Sequence, residues 1–173
     1  MTGTPVETTY TYDSAHPDRL IKIGSTSIGY NTMGCPTTYN GYAATWTRGK
    51  LTQLLKGLPL TGMYTYQYNY NAFGQRTSYD YTITRVSSAV AVGALTGYSK
   101  AFRYDQSGRL IYESKTSRYY GEGSSTEKIV YLYDECGIVG ITYTGSSAFG
   151  TYYFQRNLQG DVVAIYSKKA VRL

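Results

Sequence analysis

A short pattern recurs along this chain of 173 residues and constrains its fold more than any other feature. An Asp or Asn is followed three residues later by Gly, and a Tyr usually precedes the acidic or amide residue. The clearest copy is Tyr104-Asp105-Gln106-Ser107-Gly108, followed by Arg109-Leu110. Asp and Asn bond their own backbone two residues on, and Gly adopts a left-handed φ without steric cost. Each copy therefore predicts a hairpin loop of four or five residues.

The copies differ in detail. The one at Asp13 has a longer turn before Arg19-Leu20, and the one at Asn157 lacks the leading Tyr. A further turn signal, Arg48-Gly49, lies between two copies of the pattern. The residues that we predict to form the turns and the tyrosine ladders are Tyr12, Asp13, Tyr30, Asn31, Gly34, Tyr70, Asn71, Gly74, Tyr104, Asp105, Gly108, Tyr133, Asp134, Gly137, Asn157 and Gly160.

The residues around these turns alternate with period two and are rich in aromatic and β-branched types, which favours half-buried strands. We therefore predict an all-β fold of stacked antiparallel hairpins, organised as a single module over residues 1–173. A chain of this length is expected to bury roughly 70% of its unfolded surface. The predicted repeats lie near 10–23, 28–55, 64–84, 100–115, 129–143 and 150–166.

Few segments favour any other structure. Thr52 to Lys56 is compatible with one helical turn, and Ser87 to Leu95 with either a helix or a strand. Gly93 to Gly97 and Gly121 to Thr126 are predicted to be surface loops rather than domain boundaries, because the repeat continues across both.

The repeats resemble the YD repeats of the Rhs family, which also occur in insecticidal toxin complexes and teneurins. The core of that signature is similar to Tyr-Asp-x-x-Gly-Arg-Leu at residues 104–110, and residues 152–164 resemble the end of the Rhs core. In that family the repeats form a β-sheet that spirals into a hollow shell around a toxic domain. The resemblance implies one curved or spiralling sheet and a non-catalytic segment of such a shell.

The same resemblance implies the partners: further Rhs repeats or a toxin cargo in a parent chain, and a secreted or cell-surface location. The sequence itself shows no secretory signal and no membrane span. A complete shell needs many hundreds of residues, and the family's cleavage region is not visible here. Asp161 lies in the shell-type segment, so it is not assigned the role of the cleavage aspartate.

Composition argues against most catalytic chemistry. One His and two Cys exclude the usual zinc sites, and we predict no catalytic residue, metal or cofactor. The alternative is a hydrolase around His16 or around clustered carboxylates. In it, His16 would be a general base or a metal ligand with Asp13 or Asp18, and Asp13, Asp105 and Asp134 would serve catalysis or Ca²⁺ binding. Pro17 marks an exposed turn at His16, and the shared turn position of the three aspartates favours a structural role. Cys35 and Cys136 are expected to be free thiols, with a disulfide left open.

The 22 tyrosines suggest a second alternative, a cell-surface adhesion module that binds glycan through exposed rings. Cross-strand ladders explain the same residues without any ligand. The net charge of +6 is spread along the chain, so no specific nucleic-acid partner is predicted. Unpaired sheet edges predict edge-to-edge association into a homo-oligomer, or aggregation.

Overall fold

A computed structural model describes residues 7–58, 62–85, 94–146 and 148–167, and within these ranges the regular structure is entirely β. The all-β prediction is therefore confirmed. The strands are β1 (Tyr10–Tyr12), β2 (Leu20–Ile23), β3 (Thr26–Ser27), β4 (Gly29–Tyr30), β5 (Pro36–Tyr39), β6 (Tyr42–Thr47), β7 (Lys50–Leu58), β8 (Gly62–Tyr70), β9 (Arg76–Arg85), β10 (Leu95–Tyr104), β11 (Leu110–Tyr119), β12 (Gly123–Asp134), β13 (Gly137–Thr144), β14 (Phe149–Arg156) and β15 (Val162–Ser167).

Strands that follow one another in the chain lie beside one another in the sheet. Strands β4 to β15 form a twelve-stranded sheet in chain order, and β1, β2 and β3 form a separate three-stranded sheet. Every pairing is antiparallel. The larger sheet does not close, so β15 and β4 are its two edges.

A bulge follows most of the turns. In the hairpin of β10 and β11, Arg103 pairs with Tyr112 and Tyr104 with Leu110, so Ile111 is the extra residue. The same shift occurs one or two residues into the second strand of the hairpins that begin at β1, β4, β6, β8, β12 and β14. Bulges increase the local twist of a strand pair. The repeat in the sequence is therefore accompanied by a repeat of bulges.

The described residues form a layer without a hydrophobic core. None of their hydrophobic side chains is buried, and Ser117, at 6% exposure, is the buried polar residue. The accessible surface is 12542 Å², against about 8,500 Å² for a compact protein of this mass. Folding thus buries about 55% of the unfolded surface, so the expectation of roughly 70% was wrong. A one-layer sheet lacks the second packed layer that length alone led us to expect.

The two faces of the large sheet differ in composition. The register puts most tyrosines of β6 to β14 on one face, here named the tyrosine face. The opposite face has mainly small polar side chains, which bond across strands, as Thr116 does with Thr126 at 3.0 Å. The tyrosine face includes Tyr42, Tyr64, Tyr66, Tyr68, Tyr70, Tyr79, Tyr81, Tyr98, Tyr104, Tyr131, Tyr133, Tyr143 and Tyr152.

Three local predictions need correction. Thr52 to Lys56 lies inside strand β7, because cross-strand pairing with β6 and β8 outweighs the weak helical preference. Leu95 to Gly97 belongs to β10 and Gly123 to Thr126 to β12, so both predicted loops are shorter than expected. Residues 87–93 lie outside the described ranges.

Candidate functional surface on the tyrosine face

Four of the turns share one geometry. In the turn at Asp105, the Oδ1 atom accepts the backbone N–H groups of Ser107 and Arg109, both at 2.9 Å. The Gly108 N–H donates to the Asp105 carbonyl at 3.0 Å, and Gly108 has a φ of 83°. A side chain at that φ is strained, which is why the position is Gly. The same backbone bonds recur at Asn31 with Gly34, Asn71 with Gly74, and Asn157 with Gly160.

The remaining turns depart from this geometry. Asp134 pairs with Gly137 around a loop of two residues, and its Oδ1 accepts the Cys136 N–H at 2.8 Å. The turn at Asp13 spans seven residues, because Tyr12 pairs with Leu20. Strands β5 and β6 are joined by Asn40 and Gly41, whose φ angles are 48° and 76°. Sequence reasoning missed that turn, although Asn-Gly is a strong hairpin signal.

At four of the turns, the tyrosine that precedes the turn reaches back to the hairpin before it. The Tyr133 hydroxyl donates to the Leu110 carbonyl at 2.9 Å, at the start of the strand after the preceding turn. We name this bond the tyrosine clamp. It explains the Tyr of the pattern by a contact between repeats. The other clamps are Tyr30 to Leu20 at 2.6 Å, Tyr70 to Leu51 at 2.9 Å and Tyr104 to Arg76 at 2.9 Å.

A cation covers the ring in three of the clamps. The Arg109 guanidinium lies 4.9 Å from the centre of the Tyr133 ring, and Arg109 directly precedes the accepting residue. Arg19 over Tyr30 and Lys50 over Tyr70 occupy the same place, at 5.3 and 5.4 Å. Such contacts are worth about 0.5–1 kcal/mol at exposed sites. The Gly-Arg-Leu part of the pattern thus supplies a turn, a cation and a carbonyl.

The last hairpin replaces the tyrosine without losing the connection. Arg156 stands immediately before Asn157, where the other copies have Tyr. Its Nη2 atom donates to the Cys136 carbonyl at 3.2 Å, so it also reaches back to the preceding turn.

Tyrosine rings from three adjacent strands form a cluster in the middle of the face. Tyr66 stacks on Tyr81 with ring centres 4.8 Å apart, and Tyr98 lies 5.1 Å from Tyr81. The hydroxyl of Tyr79 donates to that of Tyr98 at 2.9 Å. Burial raises the pKa of Tyr81 to about 12, and it raises the pKa of Tyr79 further. The neutral phenol is therefore the form that this cluster stabilises.

Beside the cluster, glutamates are held between lysines and tyrosines. Glu113 on β11 contacts Lys100 on β10 and accepts the Tyr131 hydroxyl of β12 at 3.4 Å. The arrangement repeats one strand further on, where Glu127 lies 3.8 Å from Lys115 and accepts the Tyr143 hydroxyl at 3.1 Å. Burial, and after it the Glu113 carboxylate, raises the pKa of Tyr131. These contacts pair both glutamate charges with lysine charges of the neighbouring strand.

The N-terminal end of the large sheet has an open apolar pocket of about 270 Å³. Tyr39, Tyr42 and Trp46 contribute its aromatic lining, and Trp46 donates its ring N–H to the Pro36 carbonyl at 2.6 Å. Lys56 Nζ lies 4.5 Å from the centre of the Tyr42 ring. The pocket offers ring faces and methyl groups to a ligand.

The candidate catalytic and metal-binding residues are far less organised. His16 Nδ1 lies 3.8 Å from Asp13 Oδ2, but the same carboxylate accepts the Ala15 N–H at 2.8 Å and faces Arg19. That backbone bond lowers the pKa of Asp13. In the described part of the chain, no group of three or more His, Cys, Asp or Glu residues could hold a metal ion. Both cysteines are free thiols.

Comparison with known proteins gave no relative: no protein-family model matches the chain, and no curated protein matches it. In addition, the described ranges contain no helix that is long and apolar enough to cross a membrane.

Proposed function

We propose that this chain is a non-catalytic structural segment of an Rhs-type YD-repeat shell, which encloses a toxic cargo in a longer parent protein. The tyrosine clamp is the observation that supports the proposal best. Its donor and acceptor belong to consecutive hairpins, so each of the four clamps connects one hairpin to the next. A wall that grows by repetition needs a contact of this kind.

The exposed faces support the same role. A sheet without a buried core gains little hydrophobic stabilisation by itself, and its stability is then a sum of contacts between neighbouring strands. In a shell, the tyrosine face would be set against further sheet or cargo. The paired glutamates and lysines leave few unbalanced charges on that face.

The gene that encodes the chain provides the direct test. We expect the reading frame to continue into further Tyr-Asp repeats on one side and into a toxin domain on the other. A frame that encodes these repeats alone, in a strain without any adjoining repeat or toxin sequence, would contradict a shell. Assays for hydrolase activity with a His16→Ala variant as the control address the enzymatic alternative.

The pocket at Trp46 favours one further candidate, an adhesion module that binds glycan. Aromatic ring faces stack on the apolar faces of sugar rings, and Tyr39 is 41% exposed. Trp46 is the single tryptophan of the chain, so its fluorescence reports on this pocket. Oligosaccharides should change that emission in the natural chain and less in Tyr39→Ala. An equal response from both proteins, or none, would exclude this pocket as a glycan site.

A further inference from the structure

The two edges of the twelve-stranded sheet are unequal. Edge strand β15, with the sequence Val-Val-Ala-Ile-Tyr-Ser, has six residues and contains neither a charge nor a proline. Its side chains are open to solvent: Val163 is 58% exposed, Ile165 62% and Tyr166 57%. Natural sheets usually protect an edge with charges, prolines or very short strands. Strand β15 has none of these devices.

The opposite edge is protected. Strand β4 has only two residues, and its neighbour β5 begins with Pro36. The three-stranded sheet lies beside this edge: Ile28 donates its N–H to the Ile21 carbonyl at 2.8 Å, and Tyr30 makes its clamp to Leu20 at 2.6 Å. Among the strands that the structure describes, a strand from another molecule therefore finds one open edge on the large sheet.

We propose that β15 is a self-association edge, at which two copies of the chain pair antiparallel about a two-fold axis and form a closed dimer. The edges of the three-stranded sheet, β1 and β3, have only three and two residues, so β15 is the one long edge strand that the structure describes. A copy that offers one such edge pairs with the same edge of another copy, and this isologous contact ends at two subunits. The chain has a net charge of +6, but β15 is uncharged, so two copies meet there without like charges in the contact.

Symmetry determines the geometry of the dimer. Two antiparallel strands are related by a two-fold axis perpendicular to the sheet, so both subunits place the tyrosine face on the same side. Residues that pair directly lie on the same face. The two-fold axis must then lie between one residue of β15 and the same residue of the other copy, so that this residue pairs with itself across the interface. Near the middle of β15 that residue is Ala164 or Ile165.

Disulfide trapping of the full chain tests this geometry. We replace Cys35 and Cys136 by Ser and introduce one cysteine at a time. Directly paired Cα atoms in an antiparallel sheet are about 4.5–5.5 Å apart, within disulfide range. Ala164→Cys or Ile165→Cys should therefore form a covalent dimer on mild oxidation. Gln155→Cys is the matched control, because it lies one strand further in, about 14 Å from its counterpart at about 4.8 Å per strand.

Light scattering on the chain with its natural residues at 164 and 165 provides the second test. We expect twice the mass of one chain at high concentration, and the mass of one chain for Ile165→Lys. Val130→Lys introduces the same charge on the interior strand β12, where the residue is 41% exposed, and should remain dimeric. A monomer at every concentration, a mass that grows beyond two copies, or equal cross-linking of Gln155→Cys would each overturn the proposal.

Discussion

Removing one hydroxyl group from a tyrosine clamp should weaken the contact between two hairpins. Tyr133→Phe removes the donor of the 2.9 Å bond to the Leu110 carbonyl and keeps the ring under Arg109. The net value of such a bond is about 1 kcal/mol. For a chain of this size, about 1 kcal/mol corresponds to a decrease in Tm of about 2–4 °C.

The structure offers a closely matched control. The Tyr112 ring lies 5.1 Å from the Arg103 guanidinium, and its hydroxyl has no hydrogen-bond partner among the described residues. Tyr112→Phe should therefore change the free energy of unfolding by much less than Tyr133→Phe. Urea titrations followed by far-ultraviolet circular dichroism measure both. Equal stability of the two variants would refute the clamp as a source of stability.

A pair of clamps tests whether their effects are local. Tyr70→Phe removes the bond to the Leu51 carbonyl. Tyr70 lies on β8, four strands from Tyr133 on β12, which is about 19 Å at about 4.8 Å per strand. Contributions from sites this far apart usually add. The double variant should therefore lose about 2 kcal/mol. A loss equal to that of one variant would mean that the clamps do not act independently.

Three other predictions concern close packing, pH and redox state. Gly97→Ala should destabilise the chain by about 1–3 kcal/mol, because a Cβ there would overlap the Tyr81 carbonyl oxygen. Gly57→Ala is the control, because a Cβ at that position meets no atom within 4 Å and should not destabilise the chain. Thermal melts compare the two variants. Folding raises the pKa of Tyr81 from 10.0 to about 12, so the unfolded chain releases its proton first; urea midpoints should not change as the pH is raised towards about 10 and should fall between pH 10 and 12, with a smaller fall in Tyr81→Phe. Cys35 and Cys136 should both react with a thiol reagent in the folded chain, and a reducing agent should leave the unfolding curve unchanged.

Local sequence chemistry was sufficient to predict the hairpins that carry the Asp or Asn pattern. Asp105 and Gly108 specify a turn through bonds within five residues, and alternation around them specifies strands. The bulges and the clamps were not predicted, because both depend on a partner strand. Nothing near Tyr133 in the sequence indicates that its hydroxyl reaches Leu110, although the spacing of Tyr and Gly-Arg-Leu in successive repeats is the signal that could have suggested it.

The absence of a core was missed for a different reason. Scaling of buried surface with length assumes that a chain folds back over itself in layers. Here consecutive hairpins add side by side, so tyrosines such as Tyr66 and Tyr98 cover one another within one face. The prediction of a helical turn at Thr52 to Lys56 was wrong for a similar reason, because pairing with β6 and β8 makes this segment part of a strand.

The direction of the clamps has a consequence for synthesis on the ribosome. In every clamp the acceptor precedes the donor in the chain, as Leu20 precedes Tyr30 and Leu110 precedes Tyr133. Each emerging hairpin that carries a clamp donor therefore finds its docking carbonyl already translated. The polypeptide can build its wall vectorially, from the amino terminus onward, and no hairpin has to wait for a later one before it can attach.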